Sequence, residues 1–180
     1  MKVVGFAGFS GAGKTTLVER LIPVLRHGGQ RVSVVKHAHH DFDIDHPGKD
    51  SYRHRQAGAF EVVIASGRRL ALMREFEQPA ELSVYEMLAE LDAQNDWVLV
   101  EGFKRSELPK IEIWRAAHAD AGRPVLYVDD PCIVGIATDV PQRLPAPTAL
   151  PIFDVNDAQA VGRWLLDHGS RFEYGASRHG

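Results

Sequence analysis

Residues 8–15 read Gly-Phe-Ser-Gly-Ala-Gly-Lys-Thr, with a second threonine at position 16. Such a stretch is poor material for a helix or strand and good material for holding an anion. Glycine lets the backbone curl until consecutive N–H groups point inward, and that concavity binds oxyanions. The spacing fits G-x-x-x-x-G-K-[ST] at every fixed position. Its flanks meet the structural condition too. The apolar run 2–8 (KVVGFAG) reads as a buried strand, and Leu17, Leu21, Ile22, Val24 and Leu25 recur near the helical period. A helix starting there adds unpaired N–H donors and the positive end of its dipole. In that geometry Ser10, Gly11, Ala12 and Gly13 wrap the phosphates. Lys14 reaches the β- and γ-phosphates and carries the catalytic charge, the Thr15 hydroxyl faces Mg²⁺, and Thr16 lies toward the α-phosphate. A turn that only capped a helix would need neither the lysine nor the threonine, so a nucleoside triphosphate site is expected.

Three further positions carry chemistry. Glu101 ends the apolar run 97–100 (WVLV), where a carboxylate has no packing reason to be. At that point in a phosphate-loop fold it would complete the Mg²⁺ shell, although Asp is the commoner residue; a solvent-facing loop carboxylate is the alternative. The segment 38–50 (AHHDFDIDHPGKD) has no apolar periodicity and reads as a loop over the γ-phosphate. One of its acids Asp41, Asp43, Asp45 and Asp50 would reach Mg²⁺ or position the attacking water, with Asp43 the catalytic candidate. His37, His39 and His40 form an HxHH array that could bind a transition metal; a polar loop whose histidines hydrogen-bond to their neighbours is the alternative. Asp139, after the run 133–138 (IVGIAT), would accept from guanine N1–H and N2–H₂, which adenine cannot offer. A strand-end aspartate in a turn is its alternative.

The elements that must position these residues alternate. Strands are expected at 31–37, 97–100, 110–114, 124–128 and 133–138. Helices are expected at 14–26, 51–58 (capped by Ser51), 81–92 and 156–169 (capped by Asn156). Runs 60–66 and 68–75 around Ser66-Gly67 predict a β-hairpin. Prolines at 141, 145, 147 and 151 mark a long connection. The sum is an α/β, three-layer fold of the phosphate-loop NTPase kind, with a mainly parallel sheet and a hairpin excursion. Ligands in such sheets bind beyond the C-terminal strand ends. One domain over residues 1–170 is expected, followed by a flexible tail, 171–180.

With 180 residues, 25% of them charged and a net charge of −3, nothing pulls the chain toward nucleic acid or an anionic membrane. No run approaches the roughly 18 apolar residues of a membrane span. The single cysteine, Cys132, excludes an internal disulfide and suits a reducing compartment. A cytoplasmic location without a secretory leader is expected.

Taken together, GFSGAGKTTL, KHAHHDFDIDHPGKDSYRHRQAGA, VLVEGFK with PKIEI after it, and IATDVP resemble the blocks of the molybdopterin-guanine dinucleotide biosynthesis adapter family, MobB, in its order. The resemblance spans roughly residues 3–165, and the histidine-aspartate block is its most specific part. It implies a GTP-binding protein of the SIMIBI class of phosphate-loop GTPases, a homodimer with weak intrinsic GTPase activity. It also implies association with the MobA guanylyltransferase, which attaches GMP to the molybdenum-bound pterin, with the molybdopterin cofactor as a further ligand. By matching positions, Gly11, Gly13, Lys14 and Thr15 bind phosphate, Thr15 and Glu101 hold Mg²⁺, and Asp139 reads guanine. Pro47, Gly48, Lys49 and Asp50 fall in the block near the nucleotide or the dimer partner. No arginine finger is evident in cis, so hydrolysis should be slow, by roughly 10³-fold or more against a completed site. Two other readings stay open. A small-molecule kinase needs an arginine-rich lid, whereas the basic residues here look scattered. A metal-inserting GTPase would use the HxHH array.

Overall fold

The computed structural model describes residues 1–38, 42–117 and 121–175. They form two compact units, Ala38–Ser83 and the remainder, Met1–His37 with Val84 onward.

The larger unit is built on six parallel strands: β1 (Lys2–Ala7), β2 (Val32–Lys36), β5 (Trp97–Glu101), β6 (Lys110–Trp114), β7 (Ile133–Thr138) and β8 (Ile152–Asp154). Their spatial order is β2-β5-β1-β6-β7-β8. Because side chains alternate along a strand, β1 feeds two cores. Val4 and Phe6 join Leu17, Leu21 and Leu25 of α1 (Lys14–His27) and Val161 and Leu165 of α4 (Ala158–Asp167). Val3 joins Val98 and Val100 with Val84 and Leu88 of α3 (Val84–Ala89). Each fully buried leucine or phenylalanine here contributes about 1.5–3 kcal/mol of transfer free energy. Helices therefore cover both faces of the sheet. α1 runs through Pro23 without a break and ends at Gly28-Gly29.

The smaller unit holds α2 (Asp50–Gln56) and an antiparallel hairpin of β3 (Glu61–Ala65) and β4 (Leu70–Arg74). The turn closes with Ser66 N–H donating to Arg69 O at 2.8 Å. The hairpin expected around Ser66-Gly67 is thus present, and it exposes Val63, Ile64, Leu70 and Leu72.

Several local expectations are corrected. Residues 124–128 form no strand: the N–H groups of Leu126 and Tyr127 donate to the Glu112 carboxylate, both at 2.8 Å, instead of to a neighbouring strand. β8 occurs within the expected connection, pairing with β7 from Ile136↔Ile152 onward. Asp157, not Asn156, caps α4, accepting from Ala160 N–H at 2.9 Å. α2 begins at Asp50, so Ser51 lies inside it and donates to Asp45 at 3.0 Å. The amphipathic stretch 81–92 is helical only over Val84–Ala89. Beyond residue 170 the chain does not fray at once. A 3₁₀ turn, Gly169–Phe172, seats Phe172 in the core at 1% exposure, and Tyr174 N–H donates to Met1 O. Residues 176–180 of the expected tail lie outside the described residues.

Candidate functional site

The C-terminal end of β1 lies between those of β5 and β6, and the loop 8–13 leaves the sheet there. The curl inferred from the glycines is present: Gly11 has φ +79° and Gly13 φ +99°. Neither angle suits an L side chain. Gly8 is needed for space as well, since a Cβ there would sit 2.4 Å from Ile113 O. Lys14 opens α1, and its ammonium folds back across the loop, donating to Gly8 O at 3.0 Å and Phe9 O at 2.9 Å. Burial pushes its pKa below the usual lysine value. The Glu101 carboxylate opposes that shift, while the charges of Lys36 and Lys104 add to it.

Glu101 ends β5 with 8% of its surface exposed. Thr15 Oγ1 donates to its Oε1 at 2.6 Å, and Lys36 Nζ lies 3.7 Å from the same oxygen. Register explains the second contact, because Lys36 and Glu101 are paired across β2 and β5. One carboxylate therefore gathers a hydroxyl and an ammonium beside the phosphate loop. A hydroxyl and a carboxylate are hard oxygen donors of the kind Mg²⁺ takes. The sequence expectations for Ser10–Thr16 and Glu101 meet in this one place.

Asp139 follows β7 on the same edge of the sheet. Its Oδ1 accepts from Ala116 N–H at 3.1 Å, and its Oδ2 lies 3.3 Å from Arg115 Nη1. Asp43 and Pro47–Asp50 belong instead to the Ala38–Ser83 unit. There Arg55 clasps Asp43 with two hydrogen bonds, at 2.9 and 3.2 Å, and reaches Glu75 at 3.3 Å. Gly48 turns the chain into α2 with φ +91°, and Asp50 pairs with Arg53 at 3.6 Å. His37 stacks on Phe103 with ring centroids 4.7 Å apart. His39 and His40 of the HxHH array lie outside the described residues, as does Asp41. Among the described residues, no group of three or more His, Cys, Asp or Glu side chains is placed to hold a metal ion.

The basic residues around the loop are not scattered, contrary to expectation. Arg115 Nε donates to Ala12 O at 2.8 Å and Arg123 Nη1 to Ser10 O at 3.1 Å. The Phe9 ring carries Lys104 Nζ at 5.1 Å and Arg123 Cζ at 5.3 Å from its centroid, both within cation–π range. None of Lys36, Arg115 and Arg123 stands out in the sequence: Lys36 lies inside the expected strand 31–37 and Arg115 directly follows the expected strand 110–114, but only the folded sheet brings them to the loop.

A parallel open sheet with a phosphate-type loop after its first strand and a carboxylate ending the neighbouring strand defines a nucleotide-binding α/β protein of the phosphate-loop class. Residues 3–139 match the family described as molybdopterin guanine dinucleotide synthesis protein B, MobB. The chain is 40% identical over 168 residues to the molybdopterin-guanine dinucleotide biosynthesis adapter protein of Escherichia coli (strain K12), covering 92% of this chain and 91% of that one. Identity to the Haemophilus influenzae protein of the same name is 37% over 175 residues, covering 94% and 93%. Among solved structures, Bacillus subtilis MobB superposes with a TM-score of 0.68 at 26% identity, covering 97% of this chain and all of that one. A MobB homologue from Bacillus stearothermophilus gives 0.68 at 25% identity, covering 93% and 97%. The chain belongs to the MobB family.

Proposed function

We propose that this MobB-family chain is a GTP-dependent adapter of molybdopterin-guanine dinucleotide biosynthesis, acting beside a MobA-type guanylyltransferase. The name shared by its relatives supports the pathway. The observation that carries the nucleotide part is the Thr15–Glu101 hydrogen bond beside a lysine held across a curled glycine loop. Loop N–H groups would take the β-phosphate, and Lys14 would leave its two carbonyls for the β- and γ-oxygens. Thr15 and Glu101 would hold Mg²⁺, which when bound neutralises charge on those phosphates. Hydrolysis would proceed by in-line attack of water on the γ-phosphorus, breaking its bond to the β–γ bridging oxygen and releasing GDP and phosphate. Both loop arginines donate to main-chain carbonyls, which supports slow turnover and a role resting on binding.

Asp139 would read the base. A homodimer is supported by the apolar surface of the hairpin, where Leu70 is 69% and Val63 57% exposed. Among the described residues no helix is long and apolar enough to cross a membrane, which fits a cytoplasmic adapter. The molybdopterin cofactor would be the ligand delivered to, or shared with, the partner enzyme. The test is displacement of a labelled guanine nucleotide by GTP or ATP, with and without Mg²⁺. GTP should compete at least tenfold better and should need Mg²⁺ for full affinity; equal competition by ATP would remove the guanine reading.

A further inference from the structure

Arg115 joins two parts of the site that sequence treats as separate. Trp114 and Thr138 are paired in register where β6 and β7 end, so Arg115 and Asp139 leave the sheet side by side. The guanidinium then spans the gap to the phosphate loop: Nε donates to Ala12 O at 2.8 Å and Nη1 to Asp139 Oδ2 at 3.3 Å. Nη2 lies only 3.2 Å from where a Cβ on Gly13 would stand, so the bare glycine also clears room for this arginine. Ala116 N–H takes the other carboxylate oxygen at 3.1 Å. An ionised carboxylate has about four acceptor sites. With one site on each oxygen filled from the Arg115–Ala116 side, the carboxylate is fixed and keeps capacity for two ligand donors. Guanine offers such a pair in N1–H and N2–H₂; adenine does not. A lysine could not do the same, because it is a point charge without a planar fork.

We propose that Arg115 is a specificity-determining positioning residue, which orients Asp139 from the phosphate loop and so sets the preference for guanine over adenine. The proposal rests on the GTP reading above. It is tested by calorimetric titration of the full chain and its Arg115→Gln, Asp139→Asn and doubly substituted forms with GTP, ATP and inorganic triphosphate, which has no base. Thermal melts check that each variant is folded. Arg115→Gln should cut the GTP-to-ATP affinity ratio by roughly tenfold. Asp139→Asn should do likewise, and the double variant should fall no further than either single change. Equal weakening of all three ligands by Arg115→Gln would make Arg115 only a brace for the loop and overturn the proposal. Losses that add in the double variant would overturn it as well. A wild-type chain without GTP preference, or one whose preference survives Asp139→Asn, would instead remove the base reading itself and the proposal with it. Should the glutamine variant not fold, Arg115→Lys, which keeps the charge and loses the fork, is read by the same criteria.

Discussion

Replacing Lys14 with Met should separate nucleotide binding from fold stability more cleanly than any other single change. The Lys14 ammonium is bonded to Gly8 O at 3.0 Å and Phe9 O at 2.9 Å, inside a loop whose burial lowers its pKa. A lysine with a depressed folded pKa binds fewer protons folded than unfolded in the pH window just below 10.5. Stability therefore rises with pH through that window, and at neutral pH the charged lysine weighs against the empty fold. Lys14→Met removes that penalty together with the two loop hydrogen bonds. The two losses offset, and the empty protein should change by no more than about 1 kcal/mol in urea unfolding. Binding behaves differently. Two charge-assisted bonds to phosphate oxygens at roughly 1.5–2 kcal/mol each amount to about 10²–10³-fold in Kd. Calorimetric titration with GTP and Mg²⁺ reads that loss directly. A loss of affinity below tenfold, or destabilisation of the empty protein by more than about 3 kcal/mol, would show that Lys14 serves the loop's own structure and refute the reasoning.

Three other outcomes follow from single contacts. Glu101→Gln should lower GTP affinity by roughly tenfold in Mg²⁺ and leave it unchanged in EDTA, because the carboxylate acts through the metal; equal losses in both titrations would contradict the assignment. Phe172→Ala should cost about 3–5 kcal/mol in urea unfolding, since the ring is buried against Trp97 at 5.5 Å and Trp164 at 5.8 Å between centroids. A cost below about 1 kcal/mol would mean the C-terminal turn is not docked. Burial raises the Glu112 pKa above 4.5, opposed by the Leu126 and Tyr127 N–H groups and reinforced by Asp130. The folded chain thus binds more protons than the unfolded one just above pH 4.5, and stability falls as pH rises through that window. Glu112→Gln should flatten this slope in pH-dependent thermal melts, and an unchanged slope would assign it to another group.

The parts of the fold that sequence revealed are those set by local pattern. The phosphate loop is legible because glycine spacing, a buried strand and an amphipathic helix coincide within about 25 residues. The hairpin is legible because two β-rich runs flank Ser66-Gly67. Residues 124–128 misled for the same reason: Val125, Leu126, Tyr127 and Val128 are good strand formers. Their fate was decided by a distant carboxylate, Glu112, that captures the Leu126 and Tyr127 N–H groups. β8 is only Ile152–Asp154, too short behind Pro151 to show a period. The cap of α4 shifted from Asn156 to Asp157, a distance at which neighbouring Asn and Asp side chains compete on nearly equal terms; α2 starts after Lys49, whose side chain makes no capping hydrogen bond. Within the site, Ser10–Thr16 and Glu101 could be read because each sits at a strand end. The Arg115–Asp139 pair could not, because it depends on which strands are neighbours and in what register.

The most direct test is a crystal structure of the full chain with a non-hydrolysable GTP analogue and Mg²⁺. The account predicts phosphate oxygens against the N–H groups of Gly11–Thr15, with the Lys14 ammonium moved from its two loop carbonyls onto the β- and γ-phosphates. An analogue bound elsewhere, with Lys14 still on Gly8 O and Phe9 O, would contradict it.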